Sequence, residues 1–405
     1  MLGRRWIVLC VVFLARTAMG FQFQSIASVG PLLSEAFSVD NAEIGTLIGL
    51  YFLPGVVIAF PGGLLARRLG DKRICSVGLG LMVVGGLLLG ASHDYGTAFV
   101  GRGVSGAGAI LFNLVVTKMT ADWFADREIV FAMAVLLASW PFGVAAGLIL
   151  HQRLGASFGW PSVMDMAALP SALALALIAL AYRSPAAHET TAPASAGPAL
   201  GVEIPWQRQL VPLVLAGTIW GCGNAALVLF LSFAPQLLGK FGYSPHAAAS
   251  LPSTALWIVM LSAPVGGYLI ERFGKADTGI VLFCAAAALA IMLICLDISP
   301  PLLCAALGLV IGPPSGAMLA LPARILGARQ RAAGLGLFFT CYYAVMSIAP
   351  AIGGWLQDSW GTPAAALQLA SALFLAIAPL LLVFQRLVAQ MPANTGSILI
   401  EDRKR

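Results

Sequence analysis

Charge is scarce in this sequence. Asp, Glu, Lys and Arg make up 10% of its 405 residues while 60% are hydrophobic, against about 25% charged in soluble domains. So few charged side chains cannot cover a soluble globule of this size, so lipid is the solvent for most of its surface. Acid is the rarest where the chain is most apolar: no Asp or Glu falls near the middle of any long apolar run. That argues against an intramembrane carboxylate as a proton relay, with Asp165 and Glu35 near run ends as the exceptions. The four histidines (His93, His151, His188, His246) are placed in loops or at run ends. The seven cysteines have neither CxxC nor zinc-ligand spacing and read as small packing residues, so no disulfide framework, metal or cofactor is expected. There is no Walker loop, no HExxH, no paired-acid site and no nucleophile beside a base, which excludes an enzyme. The net charge of +6 is spread over short loops rather than gathered in one patch, which excludes nucleic acid as a partner.

What is present is apolar length. Runs able to cross about 30 Å of hydrocarbon occur twelve times, at about 6–34, 43–66, 74–92, 96–121, 128–150, 161–182, 209–238, 247–270, 278–297, 301–323, 332–356 and 362–385. Continuous runs without two-residue alternation are helices. Of 23 Lys and Arg, 18 fall on the side that holds the N-terminus, only Arg153 and Lys240 on the other, and Arg16, Arg102 and Lys118 within runs. The positive-inside rule therefore places both termini in the cytoplasm of a cell inner (plasma) membrane. The first run superficially resembles a signal peptide, but an internal repeat argues against its removal.

That repeat has one offset. Pro31-Leu-Leu-Ser-Glu-Ala-Phe37 recurs as Pro235-Gln-Leu-Leu-Gly-Lys-Phe241, and Gly62-Gly63-Leu-Leu-Ala-Arg67-Arg68-Leu-Gly70 recurs as Gly266-Gly267-Tyr-Leu-Ile-Glu271-Arg272-Phe-Gly274, both 204 residues on. The expected fold is an all-α membrane protein of about twelve transmembrane helices in two six-helix pseudo-repeat bundles. Residues 1–183 form the first bundle, 184–207 a cytoplasmic linker, 208–386 the second bundle and 387–405 a cytoplasmic tail. A solute site is expected near the midplane between the halves.

Charge inside a span costs at least about 2.5–3.5 kcal/mol, so the intramembrane cations point to function. Arg16 lies ten residues beyond Trp6, roughly 15 Å along a helix and close to the midplane. Its planar fork suits carboxylate-like or nitrate-like anions. Gln24 can share a broad polar face with it, whereas Gln22 is on another side. Arg102 and Asn113, eleven residues apart, fall on nearly one face, with Thr117 and Thr120 extending it. Trp220 and Asn224 are neighbours one turn apart, and they occupy the repeat positions of Arg16 and Gly20. Other readings compete: Arg102 snorkelling or pairing with Asp165, Asn224 as an interhelical contact, Lys118 as an anchor, Tyr342 and Tyr343 lining the path or merely packing.

These loops resemble the signature of the major facilitator superfamily, G-x-x-x-D-R-x-G-R-[RK], which appears here at Gly63–Arg73 and again from Gly267 to Lys275. The second copy keeps an acid, Glu271, at the key position, where the first has Arg67. Arg102-Gly-Val-Ser-Gly106-Ala-Gly108-Ala is similar to the family's span-four motif, while the antiporter pattern of span five is absent; Gly143-Val-Ala-Ala-Gly147 is only a packing surface. Ser28-Val-Gly-Pro31-Leu-Leu and Arg67-Arg68 look most like the cyanate-permease-like branch. The resemblance implies alternating access, with spans one, four, seven and ten lining the path. It implies Gly63, Arg67, Arg68, Gly70, Gly267, Glu271, Arg272 and Gly274 as gating-loop residues. The expected function is a secondary active transporter, monomeric, for a small and anionic solute bound by Arg16, Gln24, Arg102, Asn113, Trp220 and Asn224. The alternatives are a drug or metabolite exporter and, in another class, a non-transporting sensor or assembly subunit.

Overall fold

The computed structural model describes residues 2–59, 70–124, 128–182, 208–327 and 330–391. These residues are helical, with short turns between. The helices are α1 (Leu2–Ser28), α2 (Gly30–Phe37), α3 (Asn41–Leu50), α4 (Asp71–Gly90), α5 (Tyr95–Phe124), α6 (Ile129–Ala181), α7 (Leu210–Lys240), α8 (Pro245–Phe273), α9 (Ala276–Cys295), α10 (Pro300–Leu319), α11 (Arg331–Trp360) and α12 (Ala364–Ala389).

Local chemistry explains the breaks. The first span is interrupted at Val29 and resumes as α2 with a proline in its first turn, where a missing N–H is harmless. Asp40 caps α3, accepting from the Glu43 N–H while the Glu43 carboxylate takes the Asp40 N–H. Beyond α3 the second span turns at Tyr51 and Phe52 and continues as helix to Ala59. Among the described residues eleven helices are long and apolar enough to cross a membrane. One of these, α6, has 53 residues, about 80 Å if straight. It is broken at Gly159 (φ 79°, ψ 166°), a conformation open to glycine, and so it makes two crossings, giving twelve in all. The expected loop at 151–160 is therefore corrected: the fifth span runs on as helix nearly to Gly159, and His151 lies inside it rather than in a loop.

Helix α1 packs on α6, α4 on α5 and α6, α8 on α10, α7 on α11 and α12, and α9 on α10 and α12. Two seams join the halves, α3 with α11 and α6 with α8. The α3–α11 seam is backbone against backbone. A Cβ added at Gly45, Gly49 or Gly354 would overlap the carbonyls of Pro350, Ser347 and Asn41 respectively. Asp358 closes its end, accepting from Asn41 Nδ2 at 2.6 Å and the Ala42 N–H at 2.9 Å. In the second seam Phe142 and Trp257 meet edge to face at 5.4 Å, and Arg153 touches His246. Asp358, Arg153 and His246 all belong to the end of the bundle that the sequence expects to be outside.

Of the gating-loop residues, Gly63, Arg67 and Arg68 lie outside the described residues, as do Arg127, the 184–207 linker and residues 392–405 of the tail. The repeat partners Gly70 and Gly274 both have positive φ, 80° and 65°. Glu271 and Arg272 fall in the last turn of α8; Arg272 is exposed, and the Glu271 side chain is outside the description. Gly267 meets open space, whereas its neighbour Gly266 lies against Pro313.

Candidate functional site

A cavity of about 430 Å³ lies among α6, α7, α8, α10 and α11. Its walls are largely apolar and aromatic, with Trp140 and Pro141 from α6, Trp220 and Asn224 from α7, Ser315 from α10 and Tyr342 from α11. Few polar groups among apolar walls is the usual make-up of a small-molecule site. Trp220 stacks on Tyr342 with centroids 6.3 Å apart and planes at 25°. The Asn224 amide donates to the Trp220 carbonyl at 2.8 Å, leaving its carbonyl oxygen free of that bond.

Arg16 stands beside this cavity rather than in its wall. Its Nη1 donates to the carbonyls of Leu136 at 2.9 Å and Leu137 at 3.3 Å, and its Nε approaches Asn113 Oδ1 at 3.4 Å. Leu137 also lines the cavity. The reason lies in α6. Pro141 has no N–H for the carbonyl four residues back, so Leu137 O is left over by the helix and Arg16 takes it. The approach is possible because Gly20 and Gly143 bring α1 and α6 together: a Cβ at Gly20 would lie 2.5 Å from the Trp140 carbonyl, and one at Gly143 would overlap that of Thr17. The other half contributes Tyr342 and Tyr343, which lie near Arg16. Among the described residues no carboxylate pairs with Arg16, so its partners are all neutral and its charge is uncompensated.

Arg102 is a different case. It is 1% exposed, and its guanidinium donates to Leu47 O at 3.0 Å, Gln22 O at 3.2 Å and Phe23 O at 2.8 Å. The Tyr51 ring lies 4.5 Å from it and Phe23 5.7 Å. It ties α5 to α1 and α3 and does not reach the cavity. It neither snorkels nor pairs with Asp165, which is exposed. Gln24 is 0% exposed and turns toward Gly147 and His151, so it is not brought to Arg16. Lys118 pairs with Asp71 and Asp122 near the far end of α5. The structure thus joins Arg16 to Asn113 and Trp220 to Asn224, with Tyr342 facing both pairs. Trp140, Pro141 and Phe23 were not singled out from sequence; a proline within an apolar run was the available signal for a freed carbonyl.

Two stretches, 12–350 and 233–399, match the family described as Major Facilitator Superfamily. The 4-hydroxybenzoate transporter PcaK of Pseudomonas putida is 23% identical over 66% of this chain and 67% of its own length. The 2-nitroimidazole transporter of Escherichia coli is 24% identical over 89% of this chain and 92% of its own. Coverage is uneven, and the chain spans only 42% of another relative, an uncharacterized transporter of Buchnera aphidicola. Among solved structures, a bacterial homolog of the human lysosomal transporter Spinster, inward-facing and unoccupied, superposes with a TM-score of 0.72 at 15% identity, covering 95% of this chain and 96% of that one.

Proposed function

This chain belongs to the Major Facilitator Superfamily and is a transporter rather than an enzyme, and from that premise we propose that it carries a small planar anion of the arene-carboxylate class, with Arg16 as counter-charge. One observation carries the reading: Arg16 is only partly buried, is held by neutral groups alone, and adjoins an aromatic-walled cavity. An uncompensated guanidinium in a low-dielectric site is stabilised by an anion. Trp220 and Tyr342 supply faces for a flat ring, and Asn113 and Asn224 supply polar contacts at its rim. Relatives named for 4-hydroxybenzoate and 3-(3-hydroxy-phenyl)propionate fit that shape and charge. The likeness of Ser28–Leu33 to the cyanate-permease-like branch also fits a small anion. Gln24 and Arg102 are left out of the ligand set because both are sealed from the cavity.

A second reading is transport of a neutral planar heterocycle, favoured by the apolar walls and by the relative named for 2-nitroimidazole. Melting of the purified protein with each compound separates the two, since a ligand of the folded state raises Tm. We expect 4-hydroxybenzoate to raise Tm in wild type and not in Arg16→Gln. Stabilisation by 2-nitroimidazole alone, unchanged in Arg16→Gln, would overturn the anion reading. We further propose a monomer in the inner membrane, both termini cytoplasmic. In it 1–183 and 208–386 rock as two bodies, and the sealed seams at the expected outer end support reading this state as inward-facing.

A further inference from the structure

Three prolines inside helices line the central cavity: Pro141 of α6, Pro264 of α8 and Pro314 of α10. A proline has no N–H for the carbonyl four residues back, and its ring pushes that carbonyl out of line. The residues four back are Leu137, Met260 and Val310, and all three line the same cavity. Residues four apart share one helix face, so each freed carbonyl opens on the face turned to the cavity. Pro235, Pro252 and Pro350 are also inside helices, yet the cavity walls do not include them.

The three carbonyls differ in what meets them. Leu137 O is taken by Arg16 Nη1 at 3.3 Å. Among the described residues no side chain donates to Met260 O or Val310 O, and two neighbouring hydroxyls are spent elsewhere, Ser262 on Gly308 O and Ser315 on Gly312 O. Packing sets the heights. A Cβ at Gly308 would lie 2.5 Å from Ala255 O and 2.7 Å from Ile258 Cβ, and one at Gly312 would meet Ser262 and Ala263. Val310, midway between those glycines, is therefore level with Met260. Phe142 meets Trp257 and Arg153 meets His246, so α6 and α8 run antiparallel. Leu137 is five residues before Phe142 and Met260 three after Trp257, which puts them about 3 Å apart in height at 1.5 Å per residue. The guanidinium and the two free acceptors thus stand at one level, on opposite halves of the molecule.

A carbonyl left without a donor inside a membrane protein is costly. Water can meet it while the path is open. Closing the path around a cargo expels that water, and the donor must then come from the cargo. Among the described residues no carboxylate lines the cavity, so a metal cation on these oxygens would go unneutralised. We propose that Met260 O and Val310 O are specificity-determining acceptors: they select an acid that carries a hydroxyl or N–H remote from its carboxylate. Pro264 and Pro314 are positioning residues that keep both oxygens free. The inference rests on the anion reading above. The cargo lies across the cavity, with its carboxylate on Arg16 and its donor on the wall formed by α8 and α10. An acid without the donor leaves both acceptors unmet, and a site built for a donor rejects such an analogue.

The test titrates three acids calorimetrically into the purified protein: 4-hydroxybenzoate as the probe, benzoate, which lacks the donor, and 4-methoxybenzoate, which keeps the oxygen and loses its proton. Wild type should bind the probe on the order of tenfold tighter than either analogue. Pro264→Ala and Pro314→Ala together return an N–H to each carbonyl, and the ratio of probe to benzoate affinity should fall to within about twofold of unity. Each single variant should give an intermediate ratio, which keeps the test intact if the double variant does not fold. Prolines with a merely structural role would lower both affinities together and keep the ratio, and that result overturns the proposal. Wild type binding the three acids alike also overturns it; weakening of all three in Arg16→Gln would then leave the anion reading standing. Should wild type ignore every acid, the anion reading fails, and 2-nitroimidazole against its N-methyl derivative decides the acceptors. Preference for the N–H form, lost in the double variant, supports them; equal binding overturns them.

Discussion

Arg16 and Arg102 show how one side chain serves two ends. Both bond to backbone carbonyls inside the membrane. Arg102 is sealed by three carbonyls and two aromatic rings, while Arg16 keeps part of its surface free beside the cavity. Arg102→Gln should strand three acceptors and lower stability by about 3 kcal/mol or more, read as a fall in Tm or loss of folded protein. Arg102→Lys should rescue little, because a point charge cannot span three separate carbonyls. Arg16→Gln should stay folded and lose probe affinity roughly 10–100-fold, the worth of about 1.5–3 kcal/mol for a charged hydrogen bond. Arg16→Lys should fall between. Equal stability losses in the two glutamine variants would show that Arg16 is structural too. From sequence both arginines were legible as costly intramembrane charges, and their difference was not. Apart from the carbonyl freed by Pro141, carbonyl partners leave no trace in residue identity, and a helical wheel gives angles without saying which neighbour fills them. Hence Gln24, which the wheel set beside Arg16, turned instead to Gly147.

At the level of the helix, α6 holds most of what sequence reading could not see. Its two apolar runs were plain and the stretch 151–160 between them read as a connection, yet only Gly159 breaks the backbone. Within the intervening turns only His151 and Gly155 are buried, against α1 and α2, while Ala156, Ser157 and Phe158 are exposed. The same helix carries the Pro141 vacancy. Pro141→Ala restores an N–H for Leu137 O, so the helix and Arg16 compete for one acceptor. We expect Pro141→Ala to keep the fold, with affinity for 4-hydroxybenzoate changed by several-fold in the direction of Arg16→Gln, about 1 kcal/mol; isothermal titration reads it. Along α3, Gly49→Val would drive a side chain into the Ser347 carbonyl. Such overpacking costs about 1–3 kcal/mol, enough to shift the closed seam toward open about tenfold. A single cysteine at Ala42, with other reactive thiols removed, should then label faster from the expected outer side. An unchanged rate would mean that the seam is not a gate.

For the whole molecule, the twelve crossings and the two-fold repeat were legible because hydrocarbon thickness and the 204-residue offset leave few alternatives. Sidedness is a separate proposition. Cysteines at Ser38 and Ser359 should label from outside intact cells and one at Ala194 should not; labelling of position 194 would invert the topology. We also propose that the signature loops latch the halves unequally, Glu271 near the start of the fifth span being favourable at a helix N-terminus and Arg67 in the matching place unfavourable. Equal shifts in path accessibility for Glu271→Gln and Arg67→Gln would remove that asymmetry. The glycine seam between α3 and α11 bears on speed. Where Gly45, Gly49 and Gly354 touch opposing carbonyls, the contacts engage main chain whose own hydrogen bonds are already made within each helix. Parting them frees no rotamers at those points, and closing them freezes none, so the side-chain entropy that usually slows the mating of two surfaces is missing there. Such a joint can part and close again without the side-chain rearrangement that other helix interfaces require.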